Sequence, residues 1–310
     1  MLKKIFICFC VVFFVCNSAV GLLFGVNGSS NAAFKDWNKF DDNISEKSQF
    51  QDENSDDDKN EKKSKIYNLD LFDSWLVYSS FDFDIYYYDE IVVRDVLKNI
   101  DFAYHLIVED LGYVFFPTPK RIKIYVYKNH YEYVAKTNGG NWSGGYADIK
   151  KNAIFTYEQK DLMRHVLVHE LTHLVFDSYM GSPRNMNMNW LNEGLAIYEE
   201  KRFFDKKWNL KYLKTKEKES VLYSLKDAFR AESGLENDGE KIALWYLQMG
   251  TVVYFLFTLN KEGFKVFCEN FKVYKNVDEA LKYTYPWDFK SVDDLDREWR
   301  KWLYQEGDYV

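Results

Sequence analysis

An α+β fold is predicted, strand-rich in its N-terminal part and mainly helical in its C-terminal part. Three observations predict it. Between residues 81 and 157, short runs alternate apolar and polar residues with period two. From Lys160 onward, apolar residues recur with the helical period instead, which separates strands from helices along the chain rather than winding them alternately. The 310 residues are 47% hydrophobic and 29% charged, with only four prolines, so a sizeable core forms and wholesale disorder is excluded.

Met1 to Gly21 has the parts of a secretory leader: basic Lys3 and Lys4, an uncharged apolar run from Ile5 to Cys16, and small Ala19 and Gly21 for cleavage. Apolar residues resume at Leu22, Leu23, Phe24 and Val26, so Ile5 to Val26 would also make a helix of about 33 Å that spans a bilayer. Residues 1–21 are therefore a signal peptide or a signal anchor, with the interruption at Asn17 and Ser18 favouring cleavage. Either reading makes the protein exported and extracytoplasmic, and the second tethers it to a membrane. Residues 22–65 are polar and acidic, as in Asp52-Glu53-Asn54-Ser55-Asp56-Asp57-Asp58, and read as a flexible linker. The folded domain is expected over 66–310, strand-rich across 66–158 and helical across 159–310.

Three of the four cysteines lie in the leader, leaving Cys268 without an internal disulfide partner. It sits in the apolar run Phe264-Lys265-Val266-Phe267-Cys268 and reads as a small buried hydrophobe. A formal charge of −7 without a basic stripe argues against a nucleic-acid partner.

Within the domain, Phe81 to Tyr87 and Arg121 to Tyr127 read as strands, and Ala153 to Tyr157 as a third. Ile91 to Leu111 has helical spacing and ends at Gly112. Further on, Val252 to Leu259 is an apolar helix, and the segments through Val277–Leu281 and Leu295–Leu303 read as helices closing the domain, with Trp299 and Leu303 spaced for packing.

The chemistry concentrates in His165-Val166-Leu167-Val168-His169-Glu170-Leu171-Thr172-His173. His169 and His173, four apart on a helix, point the same way and can share one Zn²⁺, while Glu170 stands where it can take a proton from a water at the metal. With 5 His and 21 Glu in 310 residues, a shuffled chain would contain His-Glu-x-x-His roughly once in 200 trials. A catalytic zinc wants a third protein ligand and one open position. Glu193, in Trp190-Leu191-Asn192-Glu193-Gly194-Leu195-Ala196, follows His173 after nineteen residues, a gap that suits a loop around Gly181-Ser182-Pro183 returning a second helix to the first. Gly194 and Ala196 are small enough for that helix to approach closely. His165 lies one turn before His169 and reads as a lining residue, and His105 and His130 as structural or surface residues. Asp177, four after His173, either orients a ligand histidine or faces solvent.

His169-Glu-Leu-Thr-His173 followed by Trp190-Leu-Asn-Glu193-Gly-Leu-Ala resembles the gluzincin metallopeptidases, in particular the peptidase MA-like domains of bacterial exported proteins. Alanyl-type zinc aminopeptidases carry a similar Trp-Leu-Asn-Glu-Gly segment. The likeness covers most of residues 80 to 305 and is strongest across 165 to 200. It implies a thermolysin-like zincin domain, one Zn²⁺ per chain and hydrolysis of peptide or protein substrates. Two positions depart from the pattern. Ile197 stands four after Glu193, where thermolysin proper has an aspartate. Gly144-Gly145-Tyr146-Ala147-Asp148 has Ala147 where the aminopeptidases hold the substrate amine with a glutamate. Gly144, Gly145 and Tyr146 form either an edge strand that pairs with an extended substrate or a plain β-turn. Tyr246, in Trp245-Tyr246-Leu247-Gln248, matches by position the family's tyrosine that stabilises the oxyanion, against its reading as a packing residue.

The expected function is an exported or membrane-tethered zinc metallopeptidase with Glu170 as general base. The alternative is a non-catalytic exported module that binds a peptide or glycan and keeps a degenerate or structural zinc site. Endo- or exopeptidase preference and oligomeric state stay open.

Overall fold

The computed structural model describes residues 75–112, 121–137, 143–181, 188–204, 207–231 and 239–305. The expected leader (1–21), the linker (22–65) and the first residues of the expected domain lie outside them, as do Ser182 and Pro183.

A five-stranded mixed sheet is built from β1 (Leu76–Ser79), β2 (Phe83–Tyr87), β3 (Ile122–Tyr127), β4 (Gly145–Asp148) and β5 (Ala153–Tyr157), in the spatial order β1-β2-β3-β5-β4. Strands β2, β3 and β5 are parallel, and β1 and β4 are antiparallel edges. The strand expected from Phe81 starts at Phe83, because Ser80 N–H donates to the Phe83 carbonyl at 2.9 Å and holds Phe81 and Asp82 in a tight turn after β1. The strand expected from Arg121 starts at Ile122.

Period-two alternation gives the sheet two faces. Phe83, Ile85, Ile122, Ile124, Val126 and Ile154 are buried against the helices in the main core. The other face is aromatic: Tyr86, Tyr125, Phe155 and Tyr146, each register partner of the next, stack in a row across β2, β3, β5 and β4 with ring centroids 4.7, 5.1 and 5.2 Å apart. Such cross-strand pairs fix register as well as adding contact energy.

Helix α1 (Glu90–Asp110) crosses between parallel β2 and β3. Asp89 caps it by accepting from Ile91 N–H at 2.8 Å, and Val93, Val96, Ile100, Ala103, Tyr104 and Ile107 form its buried stripe. It ends at Leu111, followed by Gly112 with φ +80°, as the sequence predicts. A short helix, α2 (His130–Lys136), follows β3. The remainder is helical: α3 (Val168–Met180), α4 (Asn189–Phe203), α5 (Leu210–Lys218), α6 (Leu225–Arg230), α7 (Gly239–Leu259), α8 (Lys261–Tyr274), α9 (Val277–Thr284) and α10 (Val292–Gln305). Trp299 and Leu303 of α10 and Cys268 of α8 are fully buried, and burial pushes the Cys268 thiol far up in pKa. Among the described residues, α7 alone is long and apolar enough to cross a membrane, and 72% of its apolar stretch is buried inside the domain.

Helix α4 is buried nearly all round, so its position is set by packing rather than by one apolar stripe. Its contact with α7 depends on two glycines. A Cβ on Gly194 would stand 2.7 Å from the Met249 carbonyl oxygen, and one on Gly250 would stand 2.5 Å from Ile197 Cγ2. Because the first obstacle is backbone, Gly194→Ala is expected to lower stability by about 1–3 kcal/mol, read as a lower urea midpoint with unchanged slope.

Candidate metal centre

Three side chains that the sequence singles out converge. His169 and His173 stand on α3 with ring centroids 4.6 Å apart, and Glu193 reaches them from α4. The two helices run in opposite directions: His169 lies beside Glu193 and Glu200, His173 beside Glu193 and Asn192, and Asn192 in turn beside Asp177. Gly181, with φ +67°, ends α3, and α4 begins at Asn189; most of the loop expected between them lies outside the described residues. All three side chains are almost fully buried.

Glu193 Oε2 lies 3.4 Å from His169 Nε2 and 3.4 Å from His173 Nε2. Ligand atoms held tetrahedrally around one ion at about 2.0–2.1 Å stand roughly 3.3–3.4 Å apart, so the set fits zinc in donor type and in spacing. His169 Nε2 and Glu193 Oε2 have no hydrogen-bond partner although both are buried, which is the condition of atoms that await a cation. Among the described residues, this is the group of His, Cys, Asp and Glu side chains able to share an ion, its ligand atoms all within 4.8 Å of one another. Burial alone would raise the Glu193 carboxyl, but the two imidazoles outweigh it and hold the group down to about 2, so the oxygen is anionic across the useful pH range.

Glu170, next to His169, is 3% exposed, and its Oε2 has no hydrogen-bond partner. It offers a buried carboxylate beside the ligand set. Met163–Leu167 forms a single π-helical turn ahead of α3, and His165 stands in it, outside the group whose ligand atoms converge. His105 is exposed and 3.4 Å from Asp82, and His130 packs on Tyr157.

Gly145, Tyr146, Ala147 and Asp148 form the antiparallel edge strand β4 rather than a plain turn, and Gly144 immediately precedes it. The structure gives Gly145 a reason unrelated to a substrate: a Cβ there would lie 2.7 Å from Val166 Cγ1 and 3.0 Å from the Phe155 carbonyl oxygen. Tyr146 belongs to the aromatic row. Tyr246 is buried on α7, one helical turn before the Met249 and Gly250 backbone that meets α4, with Trp245 edge-on at 5.2 Å.

Two neighbours of the ligand set were not singled out in the sequence. Asn192 Oδ1 lies 2.9 Å from His173 Nδ1, and its amide N–H₂ donates to Asp177 Oδ1 at 3.3 Å. Asp177 is thus buried and reaches His173 through an amide. Glu200 Oε2 lies 4.0 Å from His169 Nδ1. The signal for both was available: Asn192 adjoins Glu193, and Glu200, seven residues on, returns to the same helical face within about 20°.

The Peptidase MA superfamily model matches residues 112–305 of the chain, a span that includes both helices of the centre. Comparison with curated proteins finds none that is similar to it.

Proposed function

This chain belongs to the Peptidase MA superfamily, and from that premise we propose that it is an exported or membrane-tethered zinc metallopeptidase of the gluzincin type that hydrolyses peptide bonds. The observation that carries the reading is the equal 3.4 Å spacing of Glu193 Oε2 from the two imidazole Nε2 atoms. His169, His173 and Glu193 would hold one Zn²⁺ per chain, with no fourth protein ligand in the set among the described residues. When bound, zinc supplies Lewis-acid polarisation of the substrate carbonyl and lowers the pKa of a water at the open position to about 7.

Glu170 accepts the proton of the attacking water and passes it to the departing amine nitrogen, acting as base and then as acid. Tyr246 donates a hydrogen bond to the oxyanion, a contribution of about 2.7–4 kcal/mol for a donor of ordinary strength. The outer edge of β4, the last strand in the sheet order, takes an extended peptide as an added strand along Gly144, Gly145 and Tyr146. Ala147 supplies no carboxylate there to hold a free amine.

The test is elemental analysis of the full chain for zinc, together with a peptide-library digest with and without a chelator. One zinc per chain and cleavage that stops with chelator and returns with zinc are expected. Zinc without cleavage of any peptide would favour the non-catalytic binding module, and absence of zinc after metal supplementation would remove the metal reading.

A further inference from the structure

Resting on the zinc reading above, we infer that Glu200 is a positioning residue for the metal centre: its carboxylate takes the Nδ1 proton of His169 in a hydrogen bond and so fixes which ring nitrogen, and which ring orientation, His169 offers to the ion. Both histidines turn Nε2 toward Glu193 Oε2, at 3.4 Å each, which leaves both Nδ1 atoms on the far side of the rings. A histidine that gives Nε2 to a metal carries its proton on Nδ1, and a buried N–H needs an acceptor. For His173 that acceptor is Asn192 Oδ1 at 2.9 Å, itself held by Asp177.

His169 Nδ1 has no hydrogen bond, and the carboxylate facing it is Glu200 Oε2 at 4.0 Å. Closing that gap to a charge-assisted hydrogen bond takes a movement of about 1 Å, within the reach of a glutamate side chain turning on its own rotamers. Ile197 and Glu199, which precede Glu200 in this stretch of α4, face away from His169. Ile197 fills the space over Gly250, where even one added carbon would stand 2.5 Å from its Cγ2. Glu199 is fully buried against Asp110 at the end of α1, with Arg202 beside both. Glu200, 5% exposed, is the carboxylate that α4 turns toward His169. The two ligand histidines are then backed differently, one by a carboxylate directly and one by a carboxylate through an amide.

The test compares the full chain with Glu200→Gln and Glu200→Ala. Zinc dissociation constants are measured by chelator competition, visible spectra after Co²⁺ loading, and urea unfolding of the metal-free forms. Zinc binding is expected to weaken about 10–100-fold in Glu200→Ala and by less in Glu200→Gln, whose amide oxygen still accepts. The cobalt bands should change shape, while the metal-free unfolding midpoint of Glu200→Gln stays where it was. Variants that bind zinc within about twofold of the parent, with unchanged cobalt bands, would overturn the inference while leaving the zinc reading intact. So would weaker zinc binding that is matched by an equal loss of metal-free stability, which marks a purely structural role. A parent chain that takes up no zinc would overturn the zinc reading and this inference with it.

Discussion

Glu170→Gln in the full chain is expected to reduce peptide hydrolysis by about 10²–10⁴-fold while zinc stays at one per chain. The substitution keeps the size and shape of the side chain and removes only its capacity to take a proton. Glu170 stands next to His169 on α3 but outside the group whose ligand atoms converge, so its loss leaves the metal set whole. Its carboxylate is buried with one oxygen lacking a hydrogen-bond partner, so the neutral amide removes a buried charge and should not unfold the protein. The effect should fall on kcat, because the proton transfer is made in the transition state, with KM for a susceptible peptide little changed. Zinc content, the unfolding midpoint and kcat measured on one preparation separate these expectations. Turnover near that of the parent would remove Glu170 from its role and leave the hydrolytic mechanism without its base.

The sequence showed the centre more clearly than the frame around it. His169 and His173 were legible because four residues on a helix is a geometric statement, and Glu193 because a nineteen-residue gap suits two packed antiparallel helices. The boundaries of α1 followed from its apolar stripe and from Gly112. The edge strands were less visible: β1 and β4 have four residues each, too few for periodicity to declare itself. The π turn at Met163–Leu167 leaves no mark in an apolar segment. Of the groups behind the ligands, Asp177 is legible four residues after His173, whereas Asn192 and Glu200 lie on the right face of α4 without declaring a partner. The adjacent turn of α4 carries Ile197, whereas the pairing of α3 with α4 brings Glu200 to His169 and places Asn192 between Asp177 and His173. Which of several acidic residues on a buried helix meets a given imidazole is decided by how two helices cross, and a single strand of sequence does not contain that angle.

Glu193→Ala should act on the metal and on stability together, and the two readouts test the site from different sides. Glu193 supplies the anionic member of the set, and its oxygen is the point equidistant from both imidazoles. Truncation leaves two imidazole nitrogens on one helical turn and no anionic ligand, so zinc affinity should fall by more than the roughly 100-fold expected at the upper end for an orienting partner. The consequence for unfolding follows from linkage. A ligand present at 1,000 times its dissociation constant stabilises the native state by about 4.1 kcal/mol, and the same zinc concentration stabilises a variant whose dissociation constant exceeds it by almost nothing. In the parent the urea midpoint should therefore rise on zinc addition, and in Glu193→Ala it should barely move. The metal-free variant is itself expected to be less stable than the metal-free parent, by an amount that does not depend on zinc. The substitution shortens a side chain in a buried polar niche and removes a charge whose favourable partners are the two histidines. Gly194, next in sequence, is untouched, so the seat of α4 against α7 is preserved. A zinc-dependent rise in midpoint that survives in Glu193→Ala would mean that the ion is held by other groups. The equal spacing at Glu193 Oε2 would then reflect a charge pair between a carboxylate and two imidazoles rather than a metal centre.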